Sequence, residues 1–111
     1  MERIKKKSFK ELNEMVEVVA KRFFLARTLH QEKINNFIAE NDFDEQSPYD
    51  IYLARVMSAY DILSEQEQNL INNEFFYQGY RDWWKTIYTR ATFYRYKKEA
   101  MQKFLGALYR E

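Results

Sequence analysis

Cysteine is absent from the sequence and histidine occurs once. That excludes disulfide scaffolds, zinc clusters, cysteine nucleophiles and nearly every histidine-based catalytic arrangement. Glycine occurs twice and proline once, too few for the hairpin turns of an all-β fold or the glycine-rich loop of a dinucleotide-binding one. No apolar run approaches the roughly 18 residues of a membrane span. The opening Met1 to Lys7 is basic and lacks the apolar stretch of a signal peptide. A cytoplasmic protein with no membrane partner is therefore expected.

What the chain does contain is core-forming material. Its 111 residues suit one domain, and 46% are hydrophobic, with 9 Phe, 9 Tyr and 2 Trp, which is incompatible with a disordered chain. The formal net charge of +1 hides a strong segregation. Residues 1–31 carry 8 Lys/Arg against 4 Asp/Glu, residues 32–74 carry 2 against 10, and residues 75–111 carry 8 against 3. The three blocks are thus basic, acidic and basic, and a basic block can meet phosphates whatever the total charge is.

Helix signals recur along the chain. Ser8 and Glu11 form a capping box, after which Leu12, Met15, Val16, Val19, Phe23, Ala26, His30, Ile34, Phe37 and Ile38 mark one face of a long helix ending near Glu40. Val18, Phe24, Leu25 and Leu29 widen that apolar surface. Ser47 and Pro48 start a second helix. Its face is Ile51, Ala54 or Arg55, Met57, Tyr60 and Leu63, with Tyr52, Leu53 and Val56 at neighbouring angles, so it should lie buried between other elements. Ser64 and Glu67 form another capping box before Leu70, Ile71, Glu74 and Phe75, and Gly79 suits the left-handed end of that third helix. A short helix over 81–88 carries Trp83, Trp84 and Ile87. Thr89 then caps a last helix through Tyr109, with Phe93, Tyr96, Ala100, Phe104 and Ala107 or Leu108 inward.

The expectation is an all-α single domain over 1–111 with about five helices, a long N-terminal helix packed on a C-terminal helix-turn-helix. Residues 1–7 would be a basic flexible tail, 8–62 the N-terminal helical part and 63–111 the helix-turn-helix part. In such motifs the last helix enters the major groove, where its first turns meet base edges and its cations meet phosphates. Arg90, Ala91, Tyr94 and Arg95 are the expected base-facing residues. Thr89, Thr92, Lys97, Lys98, Arg81 and Lys85 are the expected backbone contacts.

These residues also carry a resemblance. Leu63 to Phe75, with its leucine, glutamate, paired aliphatics and phenylalanine, resembles the opening of sigma factor region 4. Tyr88 to Leu105 is similar to the recognition helix of ArpU-class phage-type transcriptional regulators, and small uncharacterised proteins of wall-less bacteria have similar endings. The likeness covers Leu63 to Leu105 and implies a small transcriptional regulator that binds double-stranded DNA sequence-specifically, with RNA polymerase a candidate partner. Ala91 stands where sigma factors carry an acidic residue, so their promoter preference does not transfer.

Other features have simpler readings. His30 has no ligand-spaced neighbours and is expected to be partly buried and hydrogen-bonded. Glu40, Asp42, Asp44 and Glu45 lack the glycine turn and terminal glutamate of a calcium loop and read as a solvated loop. Arg3, Lys5, Lys6, Lys7 and Lys10 form either a DNA-contacting arm or a frayed tail. No nucleophile-base pair, metal set or phosphate loop is evident, so neither an enzyme nor a cofactor is expected. The alternative function is a protein-interaction module that uses the wide apolar face of residues 12–38 and the acidic middle, with RNA polymerase or a second copy of the chain as partner.

Overall fold

The computed structural model describes residues 3–40, 48–77 and 79–110, with the backbone alone described for 33–40. Ser47 and the carboxylates at 42–45 therefore lie outside the described residues, as do the side chains of Ile34, Phe37, Ile38 and Glu40. The described chain is all-helical and contains no strand. Its α-helices are α1 (Phe9–Glu40), α2 (Pro48–Asp61), α3 (Glu65–Ile71) and α4 (Arg90–Leu108). A 3-10 turn over Ile4–Lys6 precedes α1, and α3 runs on into a π-helical turn over Asn72–Phe76.

The local start signals act as their chemistry dictates. At the head of α1 the Glu11 amide donates to Ser8 Oγ at 3.2 Å and the Ser8 amide donates to Glu11 Oε1 at 3.1 Å. At the head of α3 the same reciprocal pair joins Ser64 and Glu67, at 3.2 and 2.8 Å. Each box satisfies amides that have no partner within the helix.

Packing centres on α4. Phe93, Ala100, Met101, Phe104, Leu105 and Leu108 are buried, and they share one core with Leu12, Val16, Val19 and Ala20 of α1. Val56 and Ala59 of α2 and Leu70, Ile71 and Phe75 complete it. Among the described side chains of α1, which run to Glu32, the last buried one is Ala26. Tyr52 ties α2 to α1 by donating its hydroxyl to the Val19 carbonyl at 3.2 Å. Burial, followed by the negative charge that Tyr109 would carry, raises the Tyr52 pKa above the ordinary tyrosine value.

Four expectations need correction. First, there are four α-helices among the described residues. Residues 81–87 form consecutive turns, in which amides reach back three residues from Trp83 to Tyr80, Lys85 to Asp82 and Ile87 to Trp84. Both neighbouring indoles pack on one ring, Trp84 stacked on Phe93 at 4.4 Å and Trp83 edge-on at 6.0 Å. A regular helix would aim them about 100° apart. Second, Gly79 is not left-handed. Its amide donates to the Asn73 carbonyl at 2.9 Å, and the Asn73 side chain occupies the space a Cβ would need. Third, residues 3–7 are not a free tail, because Ile4 is 2% exposed and belongs to the core. Fourth, α2 is buried on one side only. Val56 and Ala59 face inward, while Ile51 and Met57 are exposed; α2 packs chiefly on α1 and α4, and Tyr60 accepts from Gln68 and Asn72 of the α3 segment.

The Glu67 carboxylate gives the fold a pH dependence. Burial works to raise its pKa, but the Ser64 amide, the Lys103 ammonium and the Ser64 hydroxyl outweigh that and hold it below the ordinary 4.5. A lowered folded-state value stabilises the fold above the ordinary pKa, and that stabilisation is lost as pH falls through the lowered one. Stability should therefore decline on acidification below pH 4.5. Ser64→Ala should cost about 1 kcal/mol near neutrality and flatten this acid limb, which urea titrations at several pH values would measure.

Candidate nucleic-acid interface

Thr89 stands in extended conformation ahead of α4, and its hydroxyl accepts the Thr92 amide at 3.3 Å while donating to Thr92 Oγ1 at 2.9 Å. Both threonine hydroxyls thus serve the cap. The helix that follows has no acidic residue in its first turn, so the positive end of its dipole is not offset by a side chain.

At about 100° per residue, Arg90, Tyr94 and Lys98 form one ridge and Ala91 and Arg95 the ridge beside it. All five are exposed. The Arg90 guanidinium lies 5.9 Å from the Tyr94 ring centroid, and that of Arg95 lies 5.4 Å from the Tyr96 ring. Tyr94 is 40% exposed and rests edge-on against Phe9, Phe93 and Trp84. Tyr88 and Tyr96 are half-buried against each other, and the Tyr88 hydroxyl accepts from Gln66 Nε2. Of the three tyrosines, only Tyr94 reaches the exposed ridge.

The expected backbone contacts divide. Lys98 and Arg81 are exposed, and Lys85 is exposed but paired with Asp82 at 3.2 Å. Lys97 is turned inward, which corrects its expected role as a phosphate contact. Its ammonium is 2.8 Å from Glu74 Oε1, with side-chain exposures of 12% and 16%, and it lies over the Phe9 and Phe75 rings at 5.6 and 5.1 Å. The second Glu74 oxygen accepts from Trp83 Nε1 at 2.9 Å. Lys103, one face further round, pairs with Glu67 at 2.9 Å.

Two parts of this arrangement escaped sequence reasoning. One is Glu74, whose signal was a carboxylate on an otherwise apolar stripe with Leu70, Ile71 and Phe75. The other is Phe9, which supports Tyr94 from the far end of the sequence. Elsewhere, His30 Nδ1 faces the Asp50 carboxylate of α2. No group of acidic or histidine side chains able to hold a metal occurs among the described residues. No helix of the described residues is long and apolar enough to cross a membrane.

No protein-family model, curated protein or solved structure matches the chain.

The Glu74–Lys97 pair should be a dominant fixed point of the C-terminal half. The pair is half-buried, so removing one member leaves the other partly desolvated and unpartnered, at a cost of roughly 1–3 kcal/mol. Glu74→Ala and Lys97→Ala should each destabilise on that scale. The double variant Glu74→Leu with Lys97→Met should lose far less than their sum, as read by denaturant unfolding in a double-mutant cycle.

Proposed function

We propose that the protein binds double-stranded DNA sequence-specifically as a small transcriptional regulator, inserting the first two turns of α4 into the major groove. The observation that carries this reading is the exposed face of Arg90, Ala91, Tyr94, Arg95 and Lys98 on a capped helix. No carboxylate occurs between Thr89 and Lys98. Arg90 and Arg95 have the fork geometry that pairs with guanine O6 and N7, and the Ala91 methyl suits the thymine methyl. Tyr94 supplies a ring and a hydroxyl at the same level. Lys98, Arg81 and Lys85 flank the face as phosphate contacts, and Lys85 must leave Asp82 to serve. Thr89 and Thr92 hold the helix end at which a phosphate is favoured by free amides and dipole together.

A second reading is favoured by a separate observation. Val18 and Leu25, seven residues apart on α1, are 43% and 60% exposed, and a cleft of about 170 Å³ opens between Phe24, Met57 and Tyr77. A protein-interaction module, docking on RNA polymerase or on a second copy, would use this side. Pull-down with and without nuclease separates the readings, since a partner retained after nuclease treatment is not bridged by DNA.

With Lys98, Arg81 and Lys85 on phosphates, log affinity should fall against log salt with a slope of about −3 or steeper. Arg90→Ala or Arg95→Ala should each remove about 1–3 kcal/mol of discrimination at one base position, whereas Lys98→Ala should weaken all sequences alike. Anisotropy titrations of specific and scrambled duplexes measure both effects. An absence of salt-sensitive binding at low ionic strength would defeat the DNA reading.

A further inference from the structure

We infer that the basic N-terminal segment is a second, fixed contact to the DNA backbone, gripping the phosphates that flank the groove α4 enters. This rests on the DNA-binding reading above and adds a site to it.

Residues 3–9 lie along α4 in the opposite direction. At one end Arg3, Ile4 and Lys5 share a cleft with Glu99, Gln102 and Ala107. At the other the Phe9 ring packs edge-on against Tyr94 at 5.5 Å. Tyr94 to Ala107 spans about 20 Å of helix at 1.5 Å per residue.

The segment begins where the free face of α4 ends. Met101 and Leu105 follow Tyr94 and Lys98 by seven residues and so lie on the same side of the helix, yet both are 0% exposed. They share one buried cluster with Ile4. The basic segment therefore continues the exposed ridge of Arg90, Tyr94 and Lys98 over the second half of the helix.

Its charges are available. Arg3, Lys5, Lys6 and Lys10 are exposed and have no ion-pair partner among the described residues. Lys7 is paired with Glu11 at 3.8 Å. Beside this strip, Glu11 is engaged by Ser8 and Lys7, and Glu99 lines the cleft.

Groove geometry assigns the strip its partner. When the first turns of a recognition helix meet base edges, the rest of the helix leaves the groove toward the sugar-phosphate rim. A strip about 20 Å long exceeds the roughly 12 Å width of the major groove, so its far part meets the flanking phosphates. Because Ile4 is anchored in the core, the lysines are placed before binding, and less ordering accompanies contact than for a free tail.

The test uses the full chain and a mixed-sequence duplex of about 30 base pairs, titrated by anisotropy between about 50 and 200 mM salt. The combined variant Lys5→Ala, Lys6→Ala, Lys10→Ala should keep its helical circular dichroism and lose about 2.7 from the magnitude of the log–log slope, on specific and scrambled duplexes alike. Ile4→Ser keeps every charge and releases the anchor; it should bind several-fold more weakly at each salt concentration. If the unaltered chain binds with a steep slope and the triple variant retains it, the segment makes no phosphate contact and the inference fails while the DNA reading stands. Ile4→Ser binding like the unaltered chain would overturn the fixed contact. Salt-insensitive behaviour of the unaltered chain overturns both.

Discussion

The Glu74 carboxylate is shared between two donors from different parts of the chain. Trp83 Nε1 reaches it from the turns before α4 and Lys97 Nζ from the second turn of α4 itself. The ammonium also lies over Phe75 and over Phe9, so the first turn of α1 is drawn into the same assembly. A half-buried carboxylate gains from such partners, because left unpaired it would keep the cost of its partial desolvation with nothing to offset it. Its position follows from the π-helical turn, in which the Tyr77 amide bonds back five residues to Asn72 at 2.8 Å. Single π-turns inside helices are costly and are often retained where they aim a particular side chain.

From this junction the rotation of α4 about its own axis follows. Phe93 and Phe104, on the same stripe as Lys97, are fully enclosed, with exposures of 2% and 0%. A helix held by these three side chains has no freedom to present any other face, and Arg90, Tyr94 and Lys98 are the residues left outward. Aromatic support completes the mounting: Trp84 stacks on Phe93 at 4.4 Å, and Tyr94 leans on both rings and on Phe9. On the DNA-binding reading proposed above, a surface so mounted is preorganised, which would favour discrimination between bases because little geometry is left to adapt to a wrong one.

The features legible in the sequence were those decided within a few residues. Ser8 with Glu11, Ser64 with Glu67, and Thr89 with Thr92 are satisfied by atoms three positions away, and each marks a helix start in the structure. The buried stripes of α1 and α4 follow from 3.6-residue periodicity in the same way. Features decided by distant partners were not legible. Lys97 reads as one more cation of a basic helix until Glu74, 23 residues earlier, is placed beside it. Residues 81–87 read as a short helix until both indoles are seen to converge on Phe93. Ile4, between charged residues, reads as part of a tail because a single apolar side chain carries no periodicity. Within the candidate site, the outward placement of Arg90, Ala91, Tyr94, Arg95 and Lys98 was legible from the helix phase, while the supports beneath them were not.

Pairing also explains how a chain of near-zero net charge keeps a basic face. The acidic middle block supplies Glu67 and Glu74, which engage Lys103 and Lys97 at 2.9 and 2.8 Å. These two lysines lie on the sides of α4 that turn toward α3. Arg90, Arg95 and Lys98 stand exposed on other sides of α4 and have no ion-pair partner among the described residues. Field strength near a surface depends on such local imbalance, because charges more than a Debye length away, about 8 Å at physiological salt, are largely screened. Glu67 and Glu74 therefore lower the total charge by engaging Lys103 and Lys97 rather than Arg90, Arg95 and Lys98. On the proposed DNA-binding reading, attraction confined to one face of the molecule would orient the encounter.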